Sequence, residues 1–356
     1  MTKNHLQAED IRGLTQLGFD AVKAVMRMVE GMHRNIANIP PLIGQADRGP
    51  TKGLTGLIYQ LVLGITENIG TGIDAVLALF TKQQAELVSS FEREAAIAAL
   101  NGVLGDFLET TQNPLAIQMS FADAEKRLDV SAEAIKNRFL EEDASEKIMV
   151  FLHGLCMNHL YWKKLGGTQA EELAHQMGFT PIYLTYNTGR HISLNGKEFA
   201  DLLEKLVTRW PVTVKQIVLV GHSMGGLVSR SACYYAEQRG FAWRHLVSHL
   251  YCLGSPHHGS HWERGGNWVQ YIAGVSPYTF PLSRLGALRS AGITDLRYGN
   301  LLDEDWAGLD RFHPTGDQRT PLPLPKGVAC HAIAASLSRP AASTVLGDGL
   351  VPINSA

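Results

Sequence analysis

A chain of 356 residues, 45% of them hydrophobic, is long enough to bury a large core and exceeds one typical domain. Two units, or one core with a sizeable appendage, are expected. The formal net charge of −2 supplies no basic field, which argues against a nucleic-acid partner.

Residues Met1 to Gly13 lack the basic and apolar stretches of a secretory signal, which points to the cytoplasm. A helix is expected over Leu14 to Val29, with a linker from Pro40-Pro41 through Gly53. Leu54, Leu57, Ile58, Leu61, Val62 and Ile65 then recur at helical spacing, as do Ile73, Val76, Leu77 and Phe80, and Leu100, Val103, Leu104, Phe107 and Leu108. Residues 1–112 are therefore expected to form an N-terminal helical region. Its apolar faces can pack together, cover a neighbouring core or make peripheral contact with a membrane. Packing is favoured, because Glu67, Asn68 and Asp74 interrupt any run long enough to span a bilayer.

From residue 113 onward the signals alternate. Strands are predicted at Leu115 to Phe121, Lys147 to Leu152 and Thr180 to Tyr186, and helices at Ala170 to Gln176 and Gly196 to Trp210. That alternation implies an α/β fold, a mainly parallel sheet with helices on both faces. The strand Lys147 to Leu152 delivers a glycine-bearing loop, His153-Gly154-Leu155-Cys156-Met157. The apolar run Gln216 to Val220 leads into Gly221-His222-Ser223-Met224-Gly225, and Gly226 to Arg239 is expected to be a helix facing the sheet.

A serine between two glycines at a strand-to-helix junction fits a nucleophile elbow, because small residues two before and two after it permit the sharp turn that exposes its hydroxyl. Acyl transfer also needs two N–H donors for the developing oxyanion. Met224, the residue after the serine, is one candidate; Leu155, in the loop after the earlier strand, is the other. His222 is a poor base for Ser223, since adjacent residues on a sharp turn point apart.

The strand Leu246 to Leu253 is followed by Gly254-Ser255-Pro256-His257-His258-Gly259-Ser260. His257, His258 and His261 lack the spacing of a metal motif, so no metal and no cofactor is expected. Between 261 and 325 the rhythm breaks, with Trp262, Trp268, Tyr271, Tyr278, Phe280 and Trp306 among glycines and prolines. A crossover this long suggests an inserted cap or lid, whose aromatics either give a substrate an apolar wall or fill the cap's own core. Gly327 to Ala335 is predicted as a further strand, and His331 within it as a core residue. Cys156, Cys233, Cys252 and Cys330 lie in or beside predicted core elements, scattered as reduced core residues would be.

His153-Gly154-Leu155, the Gly221 to Gly226 stretch and Gly254 to Ser260, in that order, resemble a bacterial α/β-hydrolase of the lipase/esterase type. They are similar to the branch of triacylglycerol lipases and GPI-inositol-deacylase-like hydrolases. The resemblance covers about residues 113–356 and implies a serine hydrolase that cleaves carboxylic esters through an acyl-enzyme on Ser223. An ester or lipid-like small molecule is the implied substrate. The same apparatus serves thioesterases and acyltransferases.

In that fold the chain order is serine, acid, histidine. Gly347-Asp348-Gly349-Leu350-Val351-Pro352 looks like the acid loop, which makes Asp348 the implied acid, yet no histidine follows it. The expectation is that the C-terminal strand and histidine lie beyond Ala356. Asp295 or Asp310 with His313 or His331 is the fallback pair. A catalytically inactive scaffold that binds lipid or a protein partner is the alternative.

Overall fold

A computed structural model describes residues 90–123, 126–139, 144–166, 169–259, 290–312, 316–335 and 355. The helices expected before residue 90, most of the aromatic stretch from 261, His313 and Asp348 lie outside them.

In chain order the helix α1 (Ser90–Thr110) precedes the hairpin strands β1 (Ser120–Asp123) and β2 (Lys126–Leu128) and the helix α2 (Ala132–Arg138). Strand β3 (Lys147–Leu152), helices α3 (Tyr161–Gly166) and α4 (Gln169–Gln176) and strand β4 (Thr180–Thr185) follow. Helix α5 (Ile192–Arg209), strand β5 (Gln216–His222), helix α6 (Met224–Arg239), strand β6 (Val247–Leu253), the short helix α7 (Ala291–Asp295) and strand β7 (Ala329–Ile333) complete the order.

The seven strands among the described residues form one sheet in the order β2-β1-β4-β3-β5-β6-β7. From β4 to β7 every pairing is parallel, and β1 runs antiparallel to both β2 and β4. The sequence dictates burial on both faces. In β3, Ile148, Val150 and Leu152 point to one side, where they join Phe199 and Leu203 of α5 and Leu227 and Val228 of α6. Met149 and Phe151 point to the other, against Ala174 of α4 and Phe179. Such continuous apolar strands suit a parallel sheet covered on both faces.

Trp243 is fully buried and donates its indole N–H to Ala200 O at 3.1 Å, joining the turn before β6 to α5. Trp243→Ala should lower unfolding free energy by about 3–5 kcal/mol, measured by chemical denaturation, because it empties a large volume and removes that hydrogen bond.

Helix α1 belongs to the same packed body. Its Leu104 and Leu108 enter the main core. Gly102 O accepts from Ser290 Oγ at 2.6 Å, and Asp106 accepts from Ala291 N at 3.0 Å and pairs with Arg311. Asn101 takes Ile117 N and Leu115 O at 2.9 and 2.7 Å, while Asn113 Oδ1 takes Leu115 N. These side chains occupy backbone groups that a ladder would need, so the strand predicted from Leu115 begins only at Ser120.

The C-terminal strand corrects a second expectation. His331 is exposed, stacked on Tyr251 with ring centroids 4.5 Å apart, and its Nε2 lies 3.1 Å from His249 Nδ1. It is an outward residue of β7. Cys156, Cys233 and Cys252 are buried free thiols, and Cys330 is half-buried. Among the described residues no helix is long and apolar enough to cross a membrane.

Candidate active site

Ser223 stands between β5 and α6 with φ 52° and ψ −120°. Positive φ is uncommon for a residue with a Cβ, and such a conformation costs about 1–3 kcal/mol. The surroundings hold it: Ser223 N donates to Leu253 O at 2.8 Å, and Gly226 N donates to Ser223 O at 3.1 Å. Although Ser223 is the N-cap of α6, its hydroxyl makes no capping bond. A serine at that position ordinarily spends its oxygen on the first turn. Here the hydroxyl stays half-buried and uncapped at the head of α6.

The neighbouring loop is pressed against this turn. A Cβ on Gly225 would lie 2.5 Å from Leu152 O and 2.8 Å from His153 O, so only glycine lets α6 start this close to the end of β3. A Cβ on Gly154 would meet His222 Nδ1 at 3.0 Å and the Ser223 Cβ at 3.1 Å. The structure thus brings His153-Gly154-Leu155 onto the serine turn. Among the described residues, neither Leu155 N–H nor Met224 N–H donates to a protein acceptor.

His153 is buried and stacks on Tyr186 with centroids 4.4 Å apart. Tyr186 N donates to its Nε2 at 3.4 Å, which leaves the ring hydrogen on Nδ1 for Gly154 O at 3.0 Å. Burial pushes its pKa down to about 3, and His159 and His222 nearby act in the same direction. An imidazole neutral when folded but free to protonate when unfolded stabilises the fold fully above pH 6.5, and that contribution is lost as pH falls from 6.5 toward 3. His153→Asn should flatten the fall of unfolding free energy between pH 6.5 and 4 by up to one proton's worth, about 1.4 kcal/mol per pH unit, in denaturation series.

The remaining candidates have other partners. Asp295 is buried and accepts from His191 Nδ1 at 3.0 Å and Ile192 N at 2.8 Å, fixing the start of α5. Asp310 accepts from Phe312 N in an exposed turn. Trp306 stacks on His191 at 3.7 Å and donates to Ser193 Oγ, so this aromatic of the 261–325 stretch packs on the α/β body. Arg230 Nη1 lies 3.0 Å from His257 Nδ1, and burial together with that guanidinium pushes the ring down to about 4. His257 Nδ1 is therefore occupied as an acceptor. Among the described residues no cluster of three metal-ligating side chains occurs. Ser355 O accepts from His257 N at 2.6 Å, and Ser355 Oγ donates to Gly259 O at 2.6 Å, placing position 355 against the loop after β6.

Tyr186 and Thr188 escaped sequence reasoning. Tyr186 OH donates to His153 O at 2.7 Å, and Thr188 Oγ1 accepts from Cys156 N at 3.2 Å. The available signal was polar Asn187-Thr188-Gly189 soon after the strand Thr180–Thr185, beyond the carboxyl end of a parallel strand, where such folds place their sites.

A mostly parallel sheet whose central strand ends in a strained serine turn, with a glycine loop from the adjacent strand laid against it, is an α/β-hydrolase fold. The chain belongs to the family of the PGAP1-like alpha/beta domain, which matches residues 143–321. No curated protein matches it.

Solved structures similar to the chain include a Bacillus licheniformis lipase in its mature form, at 21% identity over 51% of this chain and 61% of that one, with a TM-score of 0.32. The propeptide form of that lipase is 18% identical over 67% of this chain and 46% of its own, with a TM-score of 0.42. A Pyrococcus furiosus esterase is 16% identical over 43% and 58% respectively, with a TM-score of 0.28. The chain thus spans 46% to 61% of the length of these structures.

Proposed function

We propose that this chain is a serine hydrolase of carboxylic esters, acting through an acyl-enzyme on Ser223. The observation that carries the reading is the Ser223 backbone: a non-glycine residue at φ 52° whose hydroxyl caps nothing at the start of α6. In this reading the Ser223 oxygen attacks the acyl carbon, and the Leu155 and Met224 N–H groups receive the oxyanion. The first turn of α6 adds a positive dipole end at the same point. The base that takes the serine proton is a histidine oriented by Asp348, and water then releases the acyl group. The substrate is an ester with an apolar acyl chain, as the aromatic-rich 261–325 stretch argues.

Treatment of the full chain with a fluorophosphonate probe, followed by peptide mapping, tests the assignment. Covalent label on Ser223 is expected, because only an activated serine reacts. Label on another residue, or none, removes the assignment.

A further inference from the structure

The Leu155 N–H can serve an oxyanion only if the peptides on both sides of its Cα are held. On the upstream side, Gly154 O and Leu155 N–H belong to one planar trans peptide and point in opposite directions. His153 Nδ1 and Met157 N hold that carbonyl at 3.0 and 3.3 Å. On the downstream side the chain turns at Cys156, a residue with φ 60°, again the left-handed region with a Cβ present. Its N–H donates to Thr188 Oγ1 at 3.2 Å.

Thr188 is itself fixed. It is 1% exposed, in the turn after β4, and both its neighbours are tied down. Asn187 donates to Gly105 O of α1 at 2.9 Å and its carbonyl accepts from Asn195 of α5 at 2.8 Å. Gly189 N donates to Asn187 Oδ1 at 3.0 Å. Helix α1 closes the other side of Cys156: a Cβ on Gly102 would stand 2.2 Å from Cys156 Sγ and 3.0 Å from its backbone nitrogen. The Cys156 turn is therefore wedged between α1 and the Thr188 hydroxyl.

We propose that Thr188 is the positioning residue of the second oxyanion donor: by accepting the Cys156 N–H, its hydroxyl holds the loop so that Leu155 N–H faces the acyl oxygen. The proposal rests on the ester-hydrolase reading and adds a group that no motif marks. Thr188 acts through the Cys156 N–H that it accepts. Its effect is geometric, and an oxyanion donor displaced by a fraction of an ångström loses most of its preference for the transition state.

The test compares full-length wild type, Thr188→Val, Thr188→Ala and Thr188→Ser in hydrolysis of p-nitrophenyl butyrate. The same proteins are titrated with an alkyl boronic acid, which forms a tetrahedral adduct on the serine, and followed by amide hydrogen exchange over residues 153–157. Valine keeps the shape of threonine and deletes the acceptor. It should lower kcat about 10- to 50-fold with KM within about twofold, weaken the boronate by the same factor as kcat/KM and speed exchange in the loop. Serine should restore kcat to within about threefold of wild type. If the valine variant does not accumulate as folded protein, alanine carries the same comparison.

Unchanged kcat and loop exchange in a folded Thr188→Val or Thr188→Ala protein overturn the proposal. So does a loss that Thr188→Ser fails to restore and that tracks the melting temperature alone. A wild-type chain that neither hydrolyses the ester nor takes the fluorophosphonate label overturns the ester-hydrolase reading first, and this positioning role with it.

Discussion

Ser223→Ala should abolish both ester hydrolysis and fluorophosphonate labelling, with a loss in kcat on the order of a million-fold where the full triad operates. The substitution removes one oxygen and leaves the turn in place. The two bonds that hold the turn, Ser223 N to Leu253 O and Gly226 N to Ser223 O, are backbone bonds, so the variant should fold with an unchanged circular dichroism spectrum. Residual turnover of about a thousandfold over water can remain from the oxyanion donors and binding alone. Unchanged turnover in purified Ser223→Ala protein would sink the nucleophile assignment.

Leu155→Pro should cost at least about a hundredfold in kcat, whereas Leu155→Ala should be mild. The contrast isolates the backbone: both variants lose the leucine side chain, and only proline deletes the N–H. Steric objections to proline are reduced here because the preceding residue, Gly154, has no Cβ to clash with the pyrrolidine ring. Since Leu155 N–H donates to no protein group among the described residues, its removal orphans no carbonyl. Thermal melting of the proline variant within a few degrees of wild type is the control. Full activity in that folded protein would mean that a different group supplies the second donor.

The elbow was legible in the sequence because its demands are local. A buried strand, a bend that only small residues allow and a helix start all fall within Gln216 to Arg239, and each leaves a compositional mark. The parallel core strands were legible for the same reason, as short continuous apolar runs. What the sequence concealed depends on partners far along the chain. The strand predicted from Leu115 starts later because Asn101, 16 residues from Ile117, takes that residue's N–H. His331 sits among apolar neighbours in sequence, but β7 is the end strand of the described sheet and is exposed along most of its length, so the ring stacks on Tyr251 instead of entering a core. Tyr186 and Thr188 meet the glycine loop across 33 and 32 residues, pairings that no local pattern announces.

The docking of α1 sets a condition on how the chain folds. Gly102 O is held by Ser290, and Asp106 by Ala291 and Arg311, over sequence separations of 188, 185 and 205 residues. At a synthesis rate of about 5–20 residues per second, α1 emerges about 10–40 s before Arg311 exists to receive it. During that interval α1 lacks the Ser290 to Arg311 partners of Gly102 O and Asp106. Loop closure over such a span is slow as well as late, so the docking of α1 on Ser290, Ala291 and Arg311 belongs among the last events of folding. A nascent chain can thus complete β3 through β6, with Asn187 able to reach Gly105 O, while the partners of Gly102 O and Asp106 are still missing. The body that carries the Ser223 turn is then complete only when the first helix of the described chain meets its last partners.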